Sequence, residues 1–329
     1  MKAWRLHELG DPWDVLKLEE VDSPRPLPGT ARVEVVASDL NFADILQCQG
    51  SYQERRDPPF IPGMSAAGVV VEVGEDCSLA VGDRVVGGTA GGYGGYAQEA
   101  LVDPANVQHV PDGVSLEAAA AMSVIFGTGW FALHRRGHIQ PGETILVLAA
   151  AGGVGSAAVQ MSKAHGCTVI AAAGGAEKVE ICRRLGADVV VDYIADDLYQ
   201  AVMDATGGRG CDVIYDPVGG DNFDISRRLV AWEGRLLVVG FASGTIPTAP
   251  ANHVLVKNYS IVGVHMGGYR SRMPDVIDEC YSELWASAEA GELDPYISRS
   301  LGLEDLLDGL VSLSNRATTG RVLFVPGSN

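Results

Sequence analysis

A glycine-rich turn between a predicted strand and a predicted helix carries the strongest chemical signal in the chain. An apolar run at residues 144–149 leads into Gly152-Gly153-Val154-Gly155, and a helix-forming stretch follows. The first N–H groups of a helix have no intrahelical acceptor and can bind an anion. Gly152 lets the backbone approach a pyrophosphate, and Gly155 lets the helix pack closely on the strand. The strand–turn–helix context therefore predicts a dinucleotide-binding turn.

The residues after the next predicted strand indicate which dinucleotide binds. Folds that select NAD place an Asp or Glu there, where it accepts hydrogen bonds from the ribose hydroxyls. The strand at 168–173 ends instead in Gly174-Gly175, and Lys178 follows. A 2′-phosphate would not be repelled and Lys178 could neutralise it, so we expect NADPH; the alternative for Lys178 is a solvated surface lysine. Glu177 competes with this interpretation, because a small register shift would place a carboxylate beside the ribose.

No other group of side chains predicts a metal site or a covalent catalyst. The six cysteines are scattered without a CxxC pair, which favours free thiols. His134 and His138 could mimic a metal pair, but Gly137 lies between them beside two arginines, which favours capping of a helix C-terminus. The protein would then bind the cofactor, orient its hydride and exclude water around an electrophilic acceptor.

The composition is that of an acidic globular protein. Hydrophobic residues make up 47%, charged residues 20%, and the formal net charge is -18. This charge repels nucleic acid and anionic lipid, so neither is expected as a partner. The N-terminal residues contain no apolar signal segment, and no later run approaches the roughly 18 apolar residues that a membrane span needs. We therefore expect a cytoplasmic protein.

The first third of the chain has the pattern of a β-barrel. Short apolar runs punctuated by Gly, Pro and Asp indicate closely spaced strands. They lie at 31–37, 68–73, 83–87 and 97–102. Ser115 is then a plausible N-cap for an Ala-rich helix, and a second helix is predicted from Thr128 to Gly137.

The remainder alternates between strand and helix, which predicts an α/β fold with a doubly wound parallel sheet. The predicted strands are 144–149, 168–173, 189–193, 212–216, 235–240 and 260–264. An amphipathic helix at 303–313 and a strand at 320–325 are expected to rejoin the barrel. The predicted domains are residues 1–124 (barrel), 125–266 (dinucleotide binding) and 267–329 (return to the barrel domain).

A series of short motifs extends over essentially the whole chain. They are Leu40-Asn41-Phe42-Ala43-Asp44, Gly50-Ser51-Tyr52, Pro62-Gly63, Ala66-Ala67-Gly68, Val81-Gly82-Asp83-Arg84-Val85, the segments 92–97 and 152–155, Asp192-Tyr193, and the closing segment 316–321. In this order they resemble the quinone oxidoreductase branch of the medium-chain dehydrogenase/reductase superfamily. The resemblance implies a GroES-like β-barrel domain plus a Rossmann doubly wound parallel sheet, with a cleft between them. It also implies a homodimer joined through the last Rossmann strand.

The resemblance also assigns residues to the cofactor and to catalysis. The cofactor residues are Asn41 and Thr128 beside the nicotinamide, Phe241 in a covering loop, Lys178, Tyr193 and Arg316 around the 2′-phosphate, and Gly152, Gly153, Val154 and Gly174 along the backbone. Tyr52 and Asn41 are the predicted catalytic residues. The Tyr52 phenol could donate a proton to a carbanion or enolate, or it could be a half-buried structural tyrosine.

Zinc-dependent relatives differ from this chain at the implied metal site. They place a Cys within the segment corresponding to 41–44, and Gly-His-Glu where this chain reads Gly63-Met64-Ser65. Without thiolate or imidazole ligands, no catalytic zinc is expected. Ser65 also departs from the acidic residue that many zinc-free relatives keep.

Three hypotheses for function remain open. The leading one is an NADPH-dependent reductase of quinones or quinone-like electrophiles, since hydride can add to an electron-poor carbon while charge delocalises onto oxygen. The second is a 2-enoyl thioester or enone reductase; related zinc-free enoyl reductases use a tyrosine in a context like that of Tyr52. The third is an NADPH-binding protein with a structural or regulatory role.

Overall fold

The computed structural model of the chain describes residues 1–52 and 55–327. The strands are β1 (Lys2–Leu6), β2 (Leu16–Glu20), β3 (Ala31–Asp39), β4 (Ser65–Val73), β5 (Arg84–Thr89), β6 (Glu99–His109), β7 (Thr144–Val147), β8 (Thr168–Ala173), β9 (Val189–Asp192), β10 (Cys211–Asp216), β11 (Val230–Val238), β12 (Ser260–Gly263), β13 (Ile297–Leu301) and β14 (Arg321–Phe324).

The helices lie between these strands. They are α1 (Pro12–Val15), α2 (Phe42–Cys48), α3 (Leu116–Trp130), α4 (Gly153–Ala164), α5 (Ala176–Arg184), α6 (Leu198–Ala205), α7 (Asp221–Leu229), α8 (Ala251–Lys257), α9 (Gly267–Arg272), α10 (Pro274–Glu289) and α11 (Leu306–Ser314). A π-helical segment, Phe131–Arg136, continues α3.

The first of two compact units contains Met1–Ser123 and the chain from Pro295 onwards. Strands β3, β4, β5 and β6 pair antiparallel in that order, and β6 pairs again with β3, which closes a barrel. Alternate residues of β3, such as Ala31 and Val33, point inward and are fully buried. Strand β14 pairs antiparallel with the last residues of β3. The predicted barrel is confirmed, and the last strand returns to it as expected.

The second unit, Val124–Asp294, is built on a six-stranded parallel sheet. The strand order is β12-β11-β10-β7-β8-β9, so the chain moves outward in one direction from β7 and in the other from β10. Ile145 and Val147 are fully buried, as expected for a sheet covered by helices on both faces. All six predicted strands are present, and the Rossmann topology is confirmed.

The structure corrects two boundaries that the sequence predicted. Residues 267–294 remain with the second unit, so the return to the barrel begins at 295 and not at 267. The cause is α10, which packs in this unit. Trp130 Nε1 donates a hydrogen bond to Glu283 Oε2 of this helix at 2.6 Å. The two helices predicted after Ser115 are one continuous helix, whose N-terminus the Ser115 hydroxyl caps.

This helix corrects the prediction that no apolar run approaches the length of a membrane span. Leu116–Arg136 spans 21 residues and is, among the described residues, the one helix long and apolar enough to cross a membrane. Of its most apolar window, 78% is buried inside the protein. The core helices of globular proteins have the same length and composition.

Candidate functional site

The glycine-rich turn of the second unit has the geometry of a phosphate site. Gly152 is the N-cap of α4, and the backbone from Gly152 to Val154 is half-exposed. The first-turn N–H groups of a helix have no intrahelical acceptor and lie at the positive end of its dipole. A Cβ at Gly155 would lie 2.3 Å from the Ala149 oxygen, so only glycine lets α4 approach β7 this closely.

The ribose end of the site is formed by the chain after β8 and β9. A side chain at Gly174 would lie 2.8 Å from the Tyr193 ring, so the ring lies directly over this glycine. The Gly175 N–H donates to Asp192 Oδ1 at 2.9 Å, and this hydrogen bond lowers the pKa of the Asp192 carboxyl. Asp192 therefore holds the Gly174-Gly175 turn, a role that the sequence did not reveal.

Lys178 lies half-buried in the first turn of α5, next to this turn. Over residues 1–52 and 55–327 it has no ion-pair partner, and its neighbour Glu177 is exposed. Its charge is therefore available to an anion. Arg316 belongs to the other unit, where it is exposed after α11 in the left-handed region at φ 57°. Its place beside Lys178 and Tyr193 stays a prediction.

Most of the predicted cofactor residues of this unit share one edge of the sheet. Gly152 follows β7, Gly174 follows β8, Tyr193 follows β9 and Phe241 follows β11. Phe241 is 41% exposed. Because the carboxyl ends of parallel strands meet at one edge, these loops lie together where the strand order reverses, which is the usual ligand-binding edge of such sheets.

Thr128 is the exception, because it lies on α3 and not in a loop of this edge. It is half-buried, and its Oγ1 lies 4.0 Å from Met266 Sδ. Its predicted contact with the nicotinamide stays a prediction.

The first unit holds Asn41 and Tyr52 on either side of α2. Asn41 precedes the helix, and its backbone N–H donates to Asp44 Oδ2 at 2.9 Å. The same oxygen accepts the Tyr96 hydroxyl at 2.9 Å. Tyr52 is half-buried, and its backbone N–H donates to the Leu46 oxygen at 3.2 Å. The structure thus fixes the backbone of both predicted catalytic residues through α2.

Asp44 is a buried carboxyl next to Asn41. Burial raises its pKa to about 6, and the charge of Asp39 raises it too, whereas hydrogen bonds from Met64 N–H, Asn41 N–H and Tyr96 O–H oppose the rise. At neutral pH the carboxylate form predominates and accepts all three donors. Its position within the Asn41 motif was the only sequence signal for it.

An ion pair that contacts Asn41 was not indicated by any sequence pattern. Arg321 Nη2 donates to Asp39 Oδ2 and, at 2.9 Å, to Asn41 Oδ1. Asp39 also accepts the Ser65 hydroxyl. The two charged residues are far apart in sequence, so no local pattern joins them.

His134 and His138 do not form a pair. The His134 ring packs edge-on against His165, with 4.9 Å between ring centroids, whereas His138 is exposed. Burial, reinforced by the charge of His165 and opposed by that of Glu283, lowers the pKa of His134 to about 4. His134 is therefore neutral at pH 7, so the expected cationic cap does not form at this residue. In the described parts of the chain, no three His, Cys, Asp or Glu residues are grouped so that they could hold a metal ion.

Replacing His134 with glutamine should change how stability depends on pH. The folded-state pKa of about 4 lies below the ordinary histidine value of 6.5, which applies to the unfolded chain. Between these values the unfolded chain therefore binds one more proton, and wild-type stability rises with pH. The variant should lack this gain, which amounts to roughly 2–3 kcal/mol across the window. Urea titrations at pH 4.5 and 7 measure it, with exposed His109→Gln as the control. If the free energy of unfolding changed equally between pH 4.5 and 7 in wild type and in His134→Gln, the low pKa of His134 would be contradicted.

Comparisons with known proteins agree with this geometry. The family model described as Alcohol dehydrogenase GroES-like domain matches residues 27–112, and the one described as Zinc-binding dehydrogenase matches residues 153–282. Quinone oxidoreductase-like protein 2 of Bos taurus is 43% identical over 312 residues, which cover 94% of this chain and 88% of the relative.

Two solved structures superimpose on the whole chain. The quinone oxidoreductase of Pseudomonas syringae pv. Tomato DC3000 has a TM-score of 0.89 and 32% identity, with 99% of each chain covered. The quinone oxidoreductase of Escherichia coli, solved in complex with NADPH, has a TM-score of 0.89 and 28% identity, with 99% of this chain and 100% of that chain covered.

Proposed function

Because this chain belongs to the quinone oxidoreductase family of medium-chain dehydrogenases/reductases, an oxidoreductase family, we propose that it uses NADPH to reduce quinones and quinone-like electrophiles without a metal ion. The observation that carries the proposal is the half-exposed start of α4 at Gly152–Val154. It lies at the same sheet edge as the Gly174 turn and Tyr193.

The second unit fits NADPH in particular. The helix start suits a pyrophosphate, and the Gly174-Gly175 turn presents no carboxylate of its own to a ribose. Lys178, in the first turn of α5, supplies a positive charge that could bind the 2′-phosphate. The Escherichia coli relative was solved with NADPH, which supports the same choice here.

The chemistry needs little from the protein beyond orientation. Bound NADPH would supply a hydride ion, and a quinone that takes up this hydride and one proton becomes a hydroquinone while NADP⁺ is released. The protein binds both reactants, excludes water and places hydrogen-bond donors where charge develops. We assign donor roles to Asn41 and to the Tyr52 phenol.

The metal-free mechanism is supported by the residues at the implied metal site. Met64 and Ser65 stand where a zinc site would need imidazole or carboxylate ligands. A quinone or an enone is electrophilic enough to accept hydride without a Lewis acid. The proposal also places the protein in the cytoplasm, with neither nucleic acid nor a membrane as a partner, in keeping with its net charge of -18.

A steady-state screen tests this function. NADPH oxidation is followed with 1,4-benzoquinone, an enone and a 2-enoyl thioester, and with NADH in place of NADPH. We expect the highest kcat/KM for benzoquinone with NADPH. Faster turnover of the thioester would favour the enoyl reductase, and tight NADPH binding without any turnover would favour a structural or regulatory protein.

We further propose a homodimer formed through β12. This strand ends the sheet, and its outward hydrogen-bonding groups suit pairing with a second copy. The Val264 N–H donates to the Val238 oxygen on β11. Because the N–H groups of successive residues in a strand point to opposite sides, the Ile261 N–H points away from β11. Ile261→Pro should remove that donor and yield monomers in sedimentation velocity, whereas Ile261→Val should sediment like wild type. A monomeric wild type would refute the proposal.

A further inference from the structure

A buried ion pair lies directly behind Asn41 in the first unit. Asp39 ends β3, and Arg321 begins β14. The Leu40 N–H donates to the Val322 oxygen at 3.0 Å, so the antiparallel pairing of the two strands extends past Asp39. This register brings Arg321 opposite Asn41.

The pair is almost completely shielded from water. The Arg321 side chain is 8% exposed and the Asp39 side chain 0%. One nitrogen, Arg321 Nη2, donates both to Asp39 Oδ2 and to Asn41 Oδ1, the latter at 2.9 Å. The second oxygen of Asp39 accepts the Ser65 hydroxyl. Asp39 is therefore held on both sides and in turn holds the guanidinium against Asn41.

This contact decides which end of the Asn41 carboxamide faces the guanidinium. A guanidinium has only donors, so the atom next to it must be the amide oxygen. The Asn41 NH₂ group is then the end left for a ligand. Asn41 thus offers donors, which suit a carbonyl oxygen.

We propose that Arg321, held by Asp39, is a positioning residue that fixes Asn41 with its NH₂ group towards the acceptor, so that Asn41 donates to the acceptor's carbonyl oxygen. When hydride adds to a quinone or an enone, π electrons move onto this oxygen, and the resulting anion takes its proton from solvent when the product leaves the site. A donor fixed in advance stabilises the developing charge without reorganisation. This inference rests on the proposed function.

A purely structural role explains the pair less well. Burying two charges costs desolvation energy, and replacing such a pair by apolar residues is often neutral or stabilising. An ion pair whose guanidinium also orients a half-buried amide has a functional reason to be buried.

A double-mutant cycle tests the inference. Asn41→Ala should lower kcat for benzoquinone about 100-fold at saturating NADPH, the usual cost of losing one such donor. The charge-neutral variant Asp39→Asn/Arg321→Met should lower kcat nearly as far. If the pair acts through Asn41, the same two substitutions should change kcat less than about 3-fold in the Asn41→Ala background. Arg321→Lys keeps the charge and should recover most of the activity.

A matched ion pair in the same unit serves as the control. Arg32 Nη1 and Glu99 Oε1 lie 2.7 Å apart, with side chains 19% and 21% exposed. Arg32→Met/Glu99→Gln should leave kcat unchanged, whatever it does to the melting temperature. Independent, additive losses in the cycle would overturn the positioning role.

A readout on the cofactor-free protein separates this inference from the proposed function. The Asn41 side-chain NH₂ signals, identified by their absence in Asn41→Ala, should shift or broaden in ¹H–¹⁵N spectra of Asp39→Asn/Arg321→Met and stay in place in the Arg32 control. Unchanged signals would overturn the inference even if the enzyme reduces quinones. A wild type that reduces no acceptor would overturn the proposed function, while shifted signals would still place Asn41 under the control of Arg321.

Discussion

Replacing Gly155 with alanine is expected to lower the free energy of unfolding by about 3 kcal/mol, the upper range for overpacking a core, and to abolish dinucleotide binding. The new Cβ would lie 2.3 Å from the Ala149 oxygen and 2.8 Å from the Ala150 Cα. Both are backbone atoms of the turn, so α4 must move away from β7. The helix start would then lose its place at the sheet edge. Urea denaturation and NADPH fluorescence titration measure the two effects.

Gly152→Ala is the matched control in the same turn. Its Cβ would lie 3.2 Å from the Ala149 oxygen, and its backbone is extended, so the cost in stability should stay below about 1 kcal/mol. NADPH binding should nevertheless weaken, because the methyl group would project where the pyrophosphate approaches. If both variants lost stability equally, the assignment of packing to Gly155 and of ligand approach to Gly152 would be contradicted.

The parallel sheet could be predicted because its strands are buried on both faces. Runs such as Ile145–Val147 are continuous in apolar residues, and each is bounded by turn residues. Strand β11 shows the limit of this signal. It begins at Val230, five residues before the prediction, because exposed Trp232 and the left-handed Glu233 interrupt its pattern.

Helix α3 runs without a break through Gly127 and Gly129, where the sequence predicts two separate helices. Glycine lowers intrinsic helix propensity, so these two positions weaken the helix locally. In the structure a Cβ at Gly127 would lie 2.7 Å from the Met266 side chain. The glycine therefore leaves room for the end of the Met266 side chain, and burial of the helix outweighs its low propensity.

The cofactor turn and the polar network differ in how far apart their parts lie in sequence. The turn from Gly152 to Gly155 is one local segment, so its residue types revealed it. Arg321 and Asp39 are 282 residues apart, and only the pairing of β14 with β3 brings them together. A single sequence does not state which strands become neighbours, so this network could be found only in the folded structure.

Lys178→Glu is expected to weaken NADPH binding by at least about 100-fold and to change NADH binding only a few-fold. A charge-assisted contact with the 2′-phosphate would be replaced by repulsion, whereas NADH carries no phosphate at that position. Fluorescence titrations with both dinucleotides measure the ratio. Glu177→Gln in the same helical turn is the control. It should leave the preference for NADPH intact, because the Glu177 carboxyl is exposed to solvent. An equal loss for both dinucleotides would remove Lys178 from the 2′-phosphate site and leave Tyr193 and Arg316 to account for any preference.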